Sequence, residues 1–156
     1  MSNQTASAAT PRLAHVDCDR LASTLVLGSE RRADFDAMAQ SVLAHWQPAS
    51  PEENFFVETL LVDLWHLDRI NRMKSTLLEM VLRDAGTPVT DMAEGARVDA
   101  ALDHWITSNP KSRFREALRR LRTMERKLLQ ASGHVEKQLS LLQAERWMGG
   151  GRETAE

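Results

Sequence analysis

The sequence predicts an all-α protein: an antiparallel long-helix hairpin, bundle-like, with two shorter helices closing its core. Three observations carry that prediction. Apolar residues recur at helical spacing through residues 51–85 and again through 110–147, and each stretch opens on a polar cap followed by proline. The chain has no tyrosine and few runs of valine, isoleucine and threonine, which leaves little strand-forming sequence. At 1.5 Å per residue the two stretches are roughly 50 and 55 Å long, too long to be buried singly in so small a globule, so each needs the other as a partner.

In chain order, residues 1–28 are expected to be a flexible N-terminal arm, residues 29–148 the helical domain and residues 149–156 a flexible tail. The first ten residues are Ser, Thr, Ala, Asn and Gln after Met1, a composition that buries little. Leu13, Val16, Leu21 and Leu25-Val26-Leu27 fit either a short helix or an extended arm laid on the bundle. Ser29 can cap a helix over about 30–46, where Phe35, Met38, Ala39, Val42 and Trp46 share a stripe and Pro48 stops it. Ser50-Pro51-Glu52-Glu53 supplies a cap, a first-turn proline and a capping-box glutamate for the helix over 51–85, which Gly86 and Pro88 close. This helix is apolar on most sides from Phe55 to Leu67, so contacts on more than one side are expected; its stripe then narrows to Ile70, Met73, Leu77, Met80 and Val81.

Asp91-x-x-Glu94 is a second capping box, followed by a helix over about 92–107 with Val98, Leu102, Trp105 and Ile106 inside. The last helix, 110–147, repeats Phe114, Leu121, Leu128, Val135 and Leu142 every seven residues, and Gly149-Gly150-Gly151 reads as its stop. Its other line, Leu118, Glu125, Ser132, Leu139 and Arg146, has three polar members, so a strict two-stranded zipper is not expected and a bundle helix is. Ser132-Gly133 marks a place for a kink or a close helix crossing. Trp46, Trp65 and Trp105 are expected in the core, whereas Trp147, at a helix end, suits a contact surface.

Charge singles out one stretch. Residues 111–127 carry net +6 against −2 for the whole chain, which leaves −8 elsewhere. Arg113, Arg115, Arg119, Arg120, Arg122, Arg126 and Lys127 are the candidate nucleic-acid-binding residues, because guanidinium and ammonium groups neutralise phosphates without reading sequence. The plainer reading is a solvated basic face that complements the acidic remainder. Only Phe114, on the seam, interrupts the basic run with a ring, so no base-stacking platform is visible.

Signals for catalysis or metal are thin. His15, Asp17, Cys18 and Asp19 are close in sequence, and Asp63-x-x-His66 has half the spacing of a bundle di-iron site, but each needs further ligands converging from elsewhere. Asp99 and Asp103 beside His104 read as an acidic helix face. No phosphate loop, nucleophile elbow, Cys-x-x-Cys or paired-His motif is present. One cysteine allows no internal disulfide, and neither a secretory leader nor an 18-residue apolar run is found, so a cytoplasmic, non-enzymatic protein without cofactor or metal is expected.

Three short segments resemble an uncharacterised family of bacterial all-helical proteins. Leu25-Val26-Leu27-Gly28-Ser29-Glu30 with Phe35 is similar to that family's Leu-Pro-Gly-Glu segment and following helix. Pro48-Ala49-Ser50-Pro51-Glu52-Glu53 with Leu60 to Arg72 resembles its Pro-x-x-Pro-x-Glu start and its helix with Trp and Arg. Ser112 to Leu121 resembles its Arg-rich Phe-x-x-Ala-Leu-x-x-Leu block. The family's Asn-x-x-x-His-Gly-Leu arm is met only by Leu13-Ala14-His15-Val16, without its asparagine and glycine. The resemblance, over about residues 25–130, implies helices and no activity. The broad apolar surface of 55–67 and the helix lengths predict a homo-oligomer, expected to be a dimer, with nucleic acid as the alternative partner and no membrane.

Overall fold

The computed structural model describes residues 15–84, 95–108 and 114–150, which form five helices and, among the described residues, no strand. They are α1 (Cys18–Leu25), α2 (Arg32–Trp46), α3 (Pro51–Asp84), α4 (Gly95–Ser108) and α5 (Phe114–Gly150). The all-α fold is therefore as the periodicity predicts. Residues 1–14 of the expected arm, Gly86, Pro88, the Asp91–Glu94 capping box, Ser108's neighbours Asn109 and Pro110, and residues 151–156 of the expected tail lie outside the described residues.

Glu53 organises the start of α3. Its N–H donates to Ser50 Oγ at 3.1 Å, and its own carboxylate reaches back to the Ala49 N–H at 2.6 Å, which is the reciprocal capping the sequence predicts. The same carboxylate accepts from Arg146 near the end of α5 at 2.8 Å. Further along, Lys74 of α3 meets Glu125 of α5 at 2.8 Å. Residue numbers thus rise on α3 as they fall on α5, and the two long helices run antiparallel. Gln143 closes the same end by donating to the Trp46 carbonyl.

The buried line of α5 is not the one that its apolar heptads suggest. Leu118, Ser132 and Leu139 are buried, whereas of the apolar heptads Val135 is buried and Phe114, Leu121, Leu128 and Leu142 are only half-buried. The line that looks too polar to be a seam faces α3, because each polar member has a partner. Glu125 meets Lys74, Arg146 meets Glu53, and the Ser132 hydroxyl donates to the Leu128 carbonyl of its own helix at 3.0 Å. On α3 the matching positions recur every seven residues, with Glu53, Leu60, Lys74 and Val81 all buried. A Cβ built on Gly133 would meet nothing within 4 Å, so no close helix crossing occurs there. At its far end α5 runs to Gly150, within the glycine run expected to stop it.

The breadth of the apolar surface on α3 is explained by three neighbours. Val57, Leu60, Leu61 and Trp65 are buried together with Phe35 and Ala39 of α2, Leu21 and Ala22 of α1, and Val135 and Leu139 of α5. Residues 18–26, assigned above to a flexible arm, are therefore packed on the body, while Leu27 and Gly28 are exposed. Asp17 caps α1 by accepting from the Arg20 N–H at 2.9 Å, and Leu21 and Ala22 seat it in the core. The following helix begins at Arg32 after an extended Arg31 with no side-chain cap, rather than at a Ser29 cap. It ends where Gln47 turns left-handed (φ 42°) ahead of Pro48. A second, smaller cluster joins Leu77 and Leu78 of α3 with Leu102 of α4 and Leu118 of α5. Beside it Trp105 packs on Phe114 with ring centroids 6.1 Å apart.

Candidate interaction surfaces

The turn between α1 and α2 is fastened to α3 by one carboxylate. Glu30 accepts from Arg69 Nε at 2.7 Å and from a terminal Arg69 nitrogen at 2.8 Å, and its Oε2 accepts the Leu27 N–H at 2.9 Å. Arg69 also donates to the Leu25 carbonyl at 2.7 Å. Arg72 approaches Glu30 at 3.5 Å, pairs with Asp68 at 2.7 Å and lies over the Trp65 ring at 4.8 Å. The Glu30 side chain is only 9% exposed. The Arg69 hydrogen bonds, with help from the Leu27 N–H and against desolvation, hold its carboxyl down at about 2. Two segments that carry the family resemblance, Leu25–Glu30 and Leu60–Arg72, meet at this clamp.

A consequence can be measured. A carboxyl whose pKa is lowered on folding stabilises above its unfolded value, near 4.3, and loses that contribution as pH falls toward 2. We expect stability to fall through that window by roughly 3 kcal/mol from this group alone. Glu30→Gln should remove that part of the acid sensitivity, which chemical denaturation from pH 6 to pH 2.5 would read; an unchanged slope would contradict it.

Above the clamp, a groove of about 490 Å³ opens between α3 and α5. Leu27, Met73, Leu77, Met80, Ala117 and Leu121 supply its apolar lining, and Arg69 and Arg72 close one side. Leu27, Met73 and Met80 are roughly half exposed. The narrow stripe of α3 thus splits: Ile70 and Val81 turn inward, Leu77 is buried at the groove, and Met73 and Met80 are open to it.

The basic stretch is on the surface of α5. Arg113 lies outside the described residues. Arg115, Arg119, Arg122 and Arg126 share one stripe and, with Thr123, line a groove of about 270 Å³. Arg120 belongs to the adjoining stripe with Met124. Several of these cations already face carboxylates of this chain. Glu116 accepts from Arg119 at 2.9 Å and Arg120 at 2.9 Å, and Arg122 pairs with Asp103 of α4. Glu116 is accordingly held below the usual carboxylate range by Arg119 and then Arg120. Arg126 and Lys127 are exposed and form no ion pair among the described residues.

The three most exposed large apolar side chains lie near one end of the hairpin. Trp147, Met148 and Phe55 are 79, 71 and 64% exposed. The Glu53–Arg146 pair brings the start of α3 to the end of α5, so all three stand at one end of the hairpin. Phe55 is edge-on to Phe56 with centroids 5.6 Å apart. Of the four tryptophans, Trp147 alone is left in the open; Trp65 is fully buried and Trp46 and Trp105 are half-buried.

The polar candidates for chemistry stay apart. Among the described residues no three His, Cys, Asp or Glu side chains are placed to hold a metal ion. Asp63 is raised by desolvation, which His66 opposes, and its Oδ2 is buried without a hydrogen-bond partner among the described residues. Burial pushes the Cys18 thiol up, and Asp36, Asp17, Asp19 and Glu58 add to the effect, the reverse of what a reactive thiolate needs. No described helix is long and apolar enough to cross a membrane.

These features define an all-α protein whose notable surfaces are an apolar hairpin end, an open groove and an arginine stripe. Compared with known protein families, curated proteins and solved structures, the chain matches none. The family resemblance noted above therefore rests on its three motifs alone.

Proposed function

We propose that this is a non-enzymatic helical interaction protein that self-associates as a dimer through one end of its α3–α5 hairpin. The observation that carries the reading is the exposure of Trp147, Met148 and Phe55 at that end. Burying a ring or thioether side chain of this size contributes about 1.5–3 kcal/mol, and self-complementary apolar patches close into two-fold pairs. The single helix Phe114–Gly150 runs on through this end, so its last turns can lie along a second copy.

Light scattering tests the reading. The dimer mass is expected for the native chain and the monomer mass for a Phe55→Ser, Trp147→Ser double variant, with helix content kept because both side chains are exposed. A native monomer at all concentrations would end the proposal.

A second reading is favoured by the arginine stripe, in which Arg115, Arg119, Arg122 and Arg126 are aligned along one groove. Such a face suits a nucleic-acid backbone, with affinity that falls steeply as salt rises. If this reading holds, reversing Arg119, Arg120 and Arg126 to Glu abolishes a mobility shift of duplex DNA at low salt. If the native protein gives no shift, the stripe serves the chain's own Glu116 and Asp103.

A further inference from the structure

Two lines of α3 run along α5. The first holds Glu53, Leu60, Lys74 and Val81. The second, three residues further on in each heptad, holds Phe56, Asp63, Ile70 and Leu77. Asp63 is its one polar member, and its Oδ2 is buried with no hydrogen-bond partner among the described residues. The ion pairs Glu53–Arg146 and Lys74–Glu125 set the register, which brings Asp63 level with Val135, between Ser132 and Leu139. All three of those α5 residues are buried and none titrates. The Ser132 hydroxyl is spent on the carbonyls of Leu128 and Leu129. The neighbouring charges of α5, His134, Glu136 and Lys137, are exposed. Both α1 and α2 pack on the other side of α3, around Leu61 and Trp65. On α3 itself His66 acts on Asp63, and it only partly offsets the desolvation that raises the carboxyl above its ordinary 3.8. A carboxylate sealed among apolar side chains is costly as an anion and far less so as a neutral acid.

We infer that Asp63 is an acid-sensitive latch in the α3–α5 seam: the layer it shares with Val135 is closed when the acid is neutral and loosened when it is ionised. The latch lies within one chain and does not rest on self-association at the hairpin end. A carboxyl raised on folding keeps its proton longer in the folded chain than in the unfolded one. The layer is therefore tightest below 3.8, and its stability is lost as pH rises from there through the folded value. The Glu30 clamp has the opposite sign and weakens on the acid side of that pH.

The test compares the native chain with Asp63→Asn, which keeps the shape of the neutral acid and cannot ionise. Hydrogen exchange of the amides of residues 60–70 is read as protection factors from about pH 4 to pH 7.5. The two proteins are expected to agree closely at the acid end. At the upper end native protection should fall about tenfold below that of the variant for each pH unit by which the folded carboxyl is raised. Asp63→Leu, which completes the apolar line, should be protected like Asp63→Asn. Carbon-13 NMR should show the Asp63 carboxyl titrating above 3.8. Equal protection of native and Asp63→Asn at pH 7.5 would overturn the inference, since the carboxylate would then reach water with the seam closed. So would a carboxyl titrating at or below 3.8, or the same loss of protection with pH in both proteins. Failure of the dimer shows in light scattering and leaves this comparison as it is.

Discussion

Glu125→Ala is expected to lower the stability of the fold by about 3–5 kcal/mol, the cost of taking a carboxylate away from a buried charge. The charge is Lys74, whose side chain is only 4% exposed and whose ammonium group meets Glu125 at 2.8 Å. The pair is asymmetric, since Glu125 is 23% exposed and can turn toward water. Lys74→Met should therefore cost much less than Glu125→Ala, although both delete the same ion pair. Replacing both, as Lys74→Met with Glu125→Leu, should be close to neutral or stabilising. Urea denaturation of the three variants gives the comparison. A cost below about 1 kcal/mol for Glu125→Ala would mean that the Lys74 stem lets its head reach solvent and that the pair fixes no register.

Trp65→Ala is the second large effect, expected at about 3–5 kcal/mol. Trp65 is fully buried where α1, α2 and α3 meet, edge-on to Phe35 at 5.4 Å and 87°. Truncation empties the largest buried side chain among the described residues and removes the ring under Arg72, so the Glu30 clamp loosens as well. Trp65→Phe should be far milder. It keeps the packing against Phe35 and deletes an indole N–H that has no acceptor among the described residues. Thermal melts followed by circular dichroism would separate the two; equal losses would show that ring size and not burial sets the effect.

Period and punctuation made the helices legible. Ser50-Pro51-Glu52-Glu53 announces its own helix start because capping is local: the hydroxyl, the proline and the carboxylate all act within one turn. The facing of α5 was not legible, because a polar residue at a seam position is tolerable only if its partner is known. The partners of Glu125 and Arg146 lie 51 and 93 residues away. The Glu30–Arg69 clamp was hidden for the same reason, being 39 residues long in sequence. The arginine stripe could be seen as a charge run, yet its neutralisation by Asp103 depends on where α4 comes to rest. The groove had no sequence signature at all, since Met73 and Met80 sit in the same periodic stripe as the buried Leu77. The N-terminal helix was legible only as an option, because eight residues carry too little periodicity to separate a packed turn from a loose one.

The two ion pairs between the long helices also decide which way those helices can lie. On α3 the acid, Glu53, comes first and the base, Lys74, three heptads later; on α5 the acid, Glu125, comes first and the base, Arg146, follows at the same interval. Run antiparallel, both pairs are opposite in sign, as observed. Run parallel, Glu53 would face Glu125 and Lys74 would face Arg146, two like-charge contacts in a buried seam. A slip of one heptad in the antiparallel sense that set Glu53 against Leu139 would set Lys74 against Leu118, taking both charges away from their partners on α5. The seam thus resembles a keyed connector: its apolar residues accept many alignments, and four charged side chains leave only one.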